Sequence, residues 1–140
     1  IAYAARLRAQ FPGHRMPKTP ALIRGKRPVD VYRKLLDCFA IIRGIAKRSH
    51  LSTLSLTVRQ QDHAQLRPSD VYDIVTILIA ELAYLHAQID NAPAPRPAYY
   101  PGRKLPSQVY QRAGLFERQL VELETLVAAH PSWLRRMGGE

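Results

Sequence analysis

Residues that could do chemistry are few in this sequence of 140 residues, and their spacing favours no kind of active site. The five histidines form no i,i+4 pair and have no second ligand close by on one helix face, so they lack metal-binding spacing. Asp62 and His63 are adjacent, but they lie in a polar stretch where a solvated pair is the ordinary interpretation. There is no glycine-rich phosphate loop, no paired carboxylates on one helix face and no haem motif. We therefore expect no enzymatic activity, no cofactor and no metal.

The single cysteine, Cys38, excludes an internal disulfide and a zinc site built on several cysteines, and it leaves the redox compartment open. Cys38 falls on the apolar side of a predicted helix, where a buried thiol behaves as a small hydrophobic side chain. A nucleophilic cysteine would need exposure and a nearby base. We therefore assign Cys38 to the core.

The positive charge is concentrated in the first third of the chain. Residues 1–48 contain twelve Lys or Arg and two Asp, which accounts for the whole net charge of +10, because residues 49–140 contain nine of each sign. Such a concentration of like charge either forms a solvated face or indicates an anionic partner. The residues expected to make electrostatic contacts with that partner are Arg15, Lys18, Arg24, Lys26, Arg27, Arg33, Lys34, Arg43, Lys47 and Arg48.

One phrase, Pro-x-[Asp/Gln]-Val-Tyr, occurs three times, at Pro28, Pro68 and Pro106, with intervals of 40 and 38 residues. Proline is favoured at the first position of a helix, and Asp or Gln at the third position can accept the orphan N–H that precedes the proline. The phrase therefore predicts three helix starts.

The residues after each proline continue the pattern, with apolar side chains at offsets that alternate between four and three. We call these positions the seam: Val31, Leu35, Cys38, Ile42, Ile45 and Ser49; Val71, Val75, Leu78, Leu82, Leu85 and Ile89; Val109, Ala113, Phe116, Leu120, Leu123 and Val127. This spacing is typical of helices packed side by side at shallow angles. The second helix is apolar nearly all round, which favours a central position, whereas charges on the third favour the outside.

These patterns predict an all-α protein, either a bundle of three to four helices or a short helical-repeat array with a repeat of about 38–40 residues and long, extended, proline-rich connectors. As a single helical domain, the predicted segments are 1–28 (short helix plus basic arm), 29–48 (helix), 49–67 (connector), 68–89 (central helix), 90–105 (connector rich in Pro and Tyr), 106–130 (helix) and 131–140 (tail). Connectors of this length could run back along a helix as ordered segments, so consecutive helices could be parallel.

Tyrosines recur in two settings. Tyr32, Tyr72 and Tyr110 close the three phrases and either seal the base of each helix or line a ligand site. Tyr99 and Tyr100 lie in the second connector, where they could offer rigid apolar contacts to a partner.

Compartment is left open by the sequence. The longest apolar run, at 74–80, is far shorter than a membrane span, so we expect a soluble protein without a transmembrane segment. No signal peptide is visible, but the first residue is Ile1, which leaves a removed targeting segment open and both periplasm and cytoplasm as alternatives.

Together these observations favour a non-catalytic helical scaffold or interaction subunit of a larger protein assembly, with the basic first third docked on an acidic partner. Abundant Arg, Ala and Pro suggest a bacterial source. The alternative is a nucleic-acid-binding protein, ribosome- or nucleoid-associated, that uses the same basic region; an anionic lipid surface fits the same charges. The aromatic residues of the first third do not alternate with the basic ones as in a stacking surface, which disfavours nucleic acid.

Overall fold

The computed structural model describes residues 1–51, 67–88, 95, 104–130 and 133. This part of the chain is all-helical, with four helices and no strand: α1 (Ala2–Arg8), α2 (Pro28–Arg48), α3 (Pro68–Ala87) and α4 (Pro106–Ala129). The architecture agrees with the predicted helical bundle. Tyr99, Tyr100 and most of the two predicted connectors at 49–67 and 90–105 lie outside the described residues.

Each of the three repeated phrases begins a helix with its proline at the first position, as predicted. In all three, the residue before the proline donates its backbone N–H to the side chain at the third helical position. These pairs are Arg27–Asp30 at 2.8 Å, Arg67–Asp70 at 2.8 Å and Leu105–Gln108 at 3.0 Å. Only this half of a capping box forms, because neither Arg nor Leu has a side-chain oxygen that could accept the return hydrogen bond.

The seam forms the core of the bundle. Every seam residue of α2 is buried, as are five of the six in α4, and no described seam residue is exposed. In α3, Val71 and Val75 are half-buried, and Ile89 lies outside the described residues. The spacing of apolar residues therefore identified the inward face of each helix.

Helices α2 and α4 pack along their length and run parallel. Three contacts show the direction, because residue numbers rise together in both helices: Lys26 N–H to Ser107 Oγ (3.1 Å), Lys34 Nζ to Glu117 Oε1 (3.1 Å) and Ser49 Oγ to Trp133 Nε1 (2.9 Å). The two helices therefore begin at the same end of the bundle. The last contact also explains the one polar seam residue, because the buried Ser49 hydroxyl accepts the indole N–H of Trp133.

Helix α3 does not occupy the central position that its composition favours. The main helix pair is α2 with α4, α1 packs on α4 and α3, and α3 packs on α2. One side of α3 faces solvent, with Tyr72 73% exposed and Ile79 51% exposed. Charged residues on one side of α4 made it look external, but that side binds the arm described next.

Candidate binding surface

A buried ion pair fixes the start of the basic arm, which we define as residues 9–27. Arg8 is only 2% exposed, and its Nε donates to Glu122 Oε2 of α4 at 2.9 Å. An Nη2 N–H of Arg8 donates to the Arg15 carbonyl, and the Arg15 backbone N–H donates to Glu122 Oε1 at 2.6 Å. Because a buried charge is costly without a partner, the Arg8–Glu122 pair holds α1, α4 and the arm together.

The arm then runs along α4 in the opposite direction to the helix. The Arg118 guanidinium donates to the Lys18 carbonyl at 2.7 Å, Gln111 Nε2 donates to the Pro20 carbonyl at 2.9 Å, and the arm ends beside Ser107. Side chains of α4 therefore satisfy backbone groups of the arm. The arm contacts α4 mainly through its backbone, and its Lys and Arg side chains other than Lys26 are exposed.

Close approach between the arm and α4 depends on a glycine. A Cβ placed on Gly114 would lie 2.9 Å from Pro20 Cγ, well inside van der Waals contact. A side chain at this position would therefore push the middle of the arm away from α4.

Three of the ten predicted basic residues have partners within the fold: Lys26, Lys34 and Arg27, whose Nε lies 4.0 Å from Asp30 Oδ2. Lys26 Nζ lies 4.4 Å above the centre of the Tyr110 ring, within cation–π range. Lys34 lies 5.4 Å from the same centre and pairs with Glu117. Burial alone would lower the pKa of Lys34, but the hydrogen bond and charge of Glu117 outweigh burial and raise the pKa above its ordinary value. Lys34 therefore remains charged and joins α2 to α4.

Eight of the ten predicted basic residues are exposed, Arg27 among them, and they form two groups. The arm group is Arg15, Lys18, Arg24 and Arg27, and the α2 group is Arg33, Arg43, Lys47 and Arg48. At 100° per residue the α2 group spans an arc of about 140° on the outward side of α2, with Asp37 exposed among the basic residues. Each group presents several cations on an ordered backbone, which suits an anionic surface better than a single small ion.

The repeated tyrosines have three different environments. Tyr32 is buried, Tyr110 is half-buried beneath the two lysines, and Tyr72 is exposed on α3. The exposure of Tyr72 therefore contradicts sealing of the helix base at that position, whereas the burial of Tyr32 and the partial burial of Tyr110 are compatible with it.

Groups that could do chemistry are dispersed. Cys38 is fully buried, its thiol lies 4.0 Å from the Ala113 carbonyl oxygen, and burial raises its pKa to about 12. His86 is buried against the Tyr3 ring at 5.4 Å, and burial, with the nearby Arg6 charge, lowers its pKa. Within the described ranges no three His, Cys, Asp or Glu side chains are placed to hold a metal ion.

Sequence reasoning missed two kinds of residue on this surface. Arg8 looks like Arg6 in the sequence, yet it lies four residues after buried Ala4, a spacing that indicates the inward face of α1. The aliphatic pair Leu22 and Ile23 is exposed within the arm, at 48% and 51%. An apolar pair directly before an Arg-Gly turn was the available signal.

Fold and surface together define a class, an all-helical bundle whose extended basic arm is tied along one helix. No family model matches the chain, nor does any curated protein or solved structure. None of the helices in the described part of the chain combines the length and apolar character needed to cross a bilayer.

Proposed function

We propose that the chain is a non-catalytic interaction subunit of a larger protein assembly, and that it docks an acidic partner protein on the α2 group and the arm group. The observation that carries this proposal is the display of eight exposed Lys and Arg side chains on an ordered helix and a tied-down arm. Preorganised charges bind with a smaller loss of conformational entropy than charges on a flexible tail.

One observation supports a binding role rather than catalysis, and a second concerns the class of partner. The cysteine is enclosed and its raised pKa opposes formation of the nucleophilic thiolate. The half-buried ring of Tyr110 already binds Lys26 and Lys34 within the fold, which disfavours its use for stacking on a nucleic-acid base. The second point favours an acidic protein over nucleic acid as the partner.

The finer architecture is part of the proposal. We infer three units, each an extended return segment followed by a helix that starts at Pro28, Pro68 or Pro106. The shared start geometry supports these units, and so does the arm, which returns along α4 before α2 begins. An array of this kind presents long surfaces to other proteins.

The test removes two exposed charges from the α2 group. A tagged Arg43→Gln/Lys47→Gln variant and the wild type are purified from the cells that normally contain the protein, with nuclease added and at increasing salt. We expect the wild type to retain an acidic protein in fixed ratio, and the variant to lose most of it because two attractive charges are gone. Rising salt should weaken the binding, since exposed charges are screened over about 8 Å at physiological ionic strength.

An Arg6→Gln/Arg67→Gln variant is the matched control, since it removes the same charge from exposed positions outside both groups. Equal loss of the partner from both variants would show that only net charge matters. Release of all bound material by nuclease would contradict the proposal and favour the nucleic-acid alternative.

A further inference from the structure

One end of the bundle combines exposed aliphatic side chains with basic ones. We call this surface the end face: Leu22, Ile23, Arg24, Arg27, Lys104 and Leu105. Leu22 and Ile23 are about half-exposed, and Leu105 is 64% exposed. Isolated exposed leucines are common, but three aliphatic side chains grouped inside a basic rim indicate an interaction surface.

The anchors of the arm bring these residues together. Pro20 is held at Gln111 and Lys26 at Ser107, two points four residues apart on α4 and so about 6 Å apart along its axis. The chain between them could reach about 20 Å when extended, so residues 21–25 must form a loop. Gly25, with φ of 79°, makes the turn that brings the chain back. Leu22 and Ile23 therefore lie in an exposed loop at the end of the bundle where Leu105 precedes α4.

The electrostatic character of the end face is positive. Arg24, Arg27 and Lys104 are exposed, and Asp30 in the first turn of α2 is half-buried with its carboxylate bonded to the Arg27 N–H. Because α2 and α4 are parallel and start at this end, the positive ends of both helix dipoles point the same way. The end face is therefore suited to a negatively charged surface.

We propose that the end face docks on an anionic lipid bilayer, with Leu22 and Ile23 entering the boundary between headgroups and acyl chains. An exposed aliphatic loop can enter a bilayer directly. A protein surface that binds a peptide helix normally offers that helix a groove. Anionic headgroups attract the basic rim. A nucleic-acid backbone would use only the rim and leave the aliphatic side chains in water. This inference shares Arg24 and Arg27 with the arm group but uses no residue of the α2 group, and it needs no protein partner.

The experiment uses the purified full chain and sedimented vesicles made of equal parts phosphatidylglycerol and phosphatidylcholine, or of phosphatidylcholine alone. We expect binding to the anionic vesicles only. Leu22→Ser/Ile23→Ser should weaken that binding at least about tenfold, because two aliphatic side chains no longer leave water. Ile79→Ser is the matched control, since Ile79 on α3 is exposed to the same extent as Ile23, at 51%, and should change nothing.

Charge is tested separately with variants of equal net charge. Arg24→Gln/Arg27→Gln should weaken vesicle binding more than Arg43→Gln/Lys47→Gln, whose side chains lie about 24 Å further along α2. Insertion is read with Leu22→Cys labelled by an environment-sensitive dye, since the buried Cys38 does not compete for the label. The dye emission should shift to shorter wavelength on anionic vesicles.

Three results would overturn the inference. Unchanged binding by Leu22→Ser/Ile23→Ser would reduce the contact to general electrostatic adsorption. Equal weakening by Ile79→Ser would show that the end face is not special. Binding to polyglutamate or duplex DNA without binding to anionic vesicles would show that the end face serves a different class of partner.

Discussion

Arg8 shows how a residue of ordinary surface type becomes part of the interior. It lies on the same side of α1 as Ala4, and packing of that side against α4 takes the guanidinium out of water. Glu122 and the Arg15 carbonyl then supply the acceptors that a buried guanidinium requires. A single pair of charges therefore links the first helix, the arm and the last described helix.

Burial of Cys38 gives a prediction about thiol reactivity. Because burial raises its pKa to about 12, almost no thiolate exists at neutral pH in the folded protein. We expect Ellman's reagent to react with the native protein at the rate of unfolding, and with the denatured protein at the rate of a free thiol. Rapid reaction in the native state would contradict the described core.

His50, two residues after the end of α2, has an unfavourable backbone conformation. Its φ is 58°, and the Leu51 and His50 N–H groups return to the carbonyls of Ala46 and Lys47, as in a Schellman motif. Glycine adopts this conformation without steric cost, so His50→Gly should raise the free energy of unfolding by about 0.5–1 kcal/mol in urea denaturation. Gln88→Gly is the control, because Gln88 has a φ of −74° at the end of α3 and should give a loss.

At the scale of elements, α3 has two unlike sides although apolar residues lie nearly all round it. Leu78, Leu82 and Leu85 face the core, whereas Tyr72 and Ile79 face solvent. The position of α3 thus follows from which neighbours pack on it, and not from its mean hydropathy. The attachment of the arm to α4 is the second feature at this scale that depends on packing between elements.

The two sides of α3 can be compared with two substitutions of similar chemistry. Leu82→Ala, at 2% exposure, should lower the free energy of unfolding by about 2–5 kcal/mol through lost burial and a cavity. Ile79→Ala, on the exposed side, should stay within about 0.5 kcal/mol of the wild type. Equal effects in chemical denaturation would contradict the assignment of the seam.

Two helix glycines test the contact between the arm and α4. Gly44→Ala should stabilise the protein by about 0.5–1 kcal/mol, because alanine favours the helical conformation more than glycine does. The new Cβ would lie 3.0 Å from Glu124 Oε2, and that flexible carboxylate can move away. Gly114→Ala should lack this gain because its Cβ meets the Pro20 ring. We also expect faster tryptic cleavage after Arg15 and Lys18 in Gly114→Ala at unchanged helix content. An equally stabilised, equally protease-resistant Gly114→Ala would show that the arm is not held there.

At the scale of the whole molecule, the net charge of +10 is divided between structural and exposed roles. Arg8, Lys26 and Lys34 bind groups within the fold, and the exposed groups on the arm and α2 supply the surface. The parallel arrangement of α2 and α4 gathers the start of both helices and the turn of the arm at one end. Charge and topology together therefore create the end face.

The buried His86 makes the stability of the whole molecule depend on pH. Because its folded pKa is below the ordinary value of 6.5, the unfolded chain binds a proton first as pH falls. The contribution of His86 is therefore present above pH 6.5 and is lost as pH falls through that value toward the folded pKa. His86→Phe keeps a ring against Tyr3 and should lose less stability between about pH 7 and 5 than the wild type.

The sequence by itself determined the local features of this protein. The start of α2, α3 and α4 follows from a proline and a side chain two residues later, and the inward faces follow from apolar spacing within each helix. Both depend on residues that are neighbours along the chain, so a single sequence contains the required information. The same holds for the charge of the first third and for placing Cys38 in the core.

The tertiary structure alone decided the remaining features. Apolar side chains lie nearly all round α3, so its composition favoured a central position, and only the packing of its neighbours left one side in solvent. The arm depends on Arg8 meeting Glu122, 114 residues away, and on Gly114 admitting Pro20. Lys26 and Lys34 look like the other basic residues until Tyr110 and Glu117 lie beside them. Such contacts arise from the packing of distant segments, and no pattern of neighbouring residues records them.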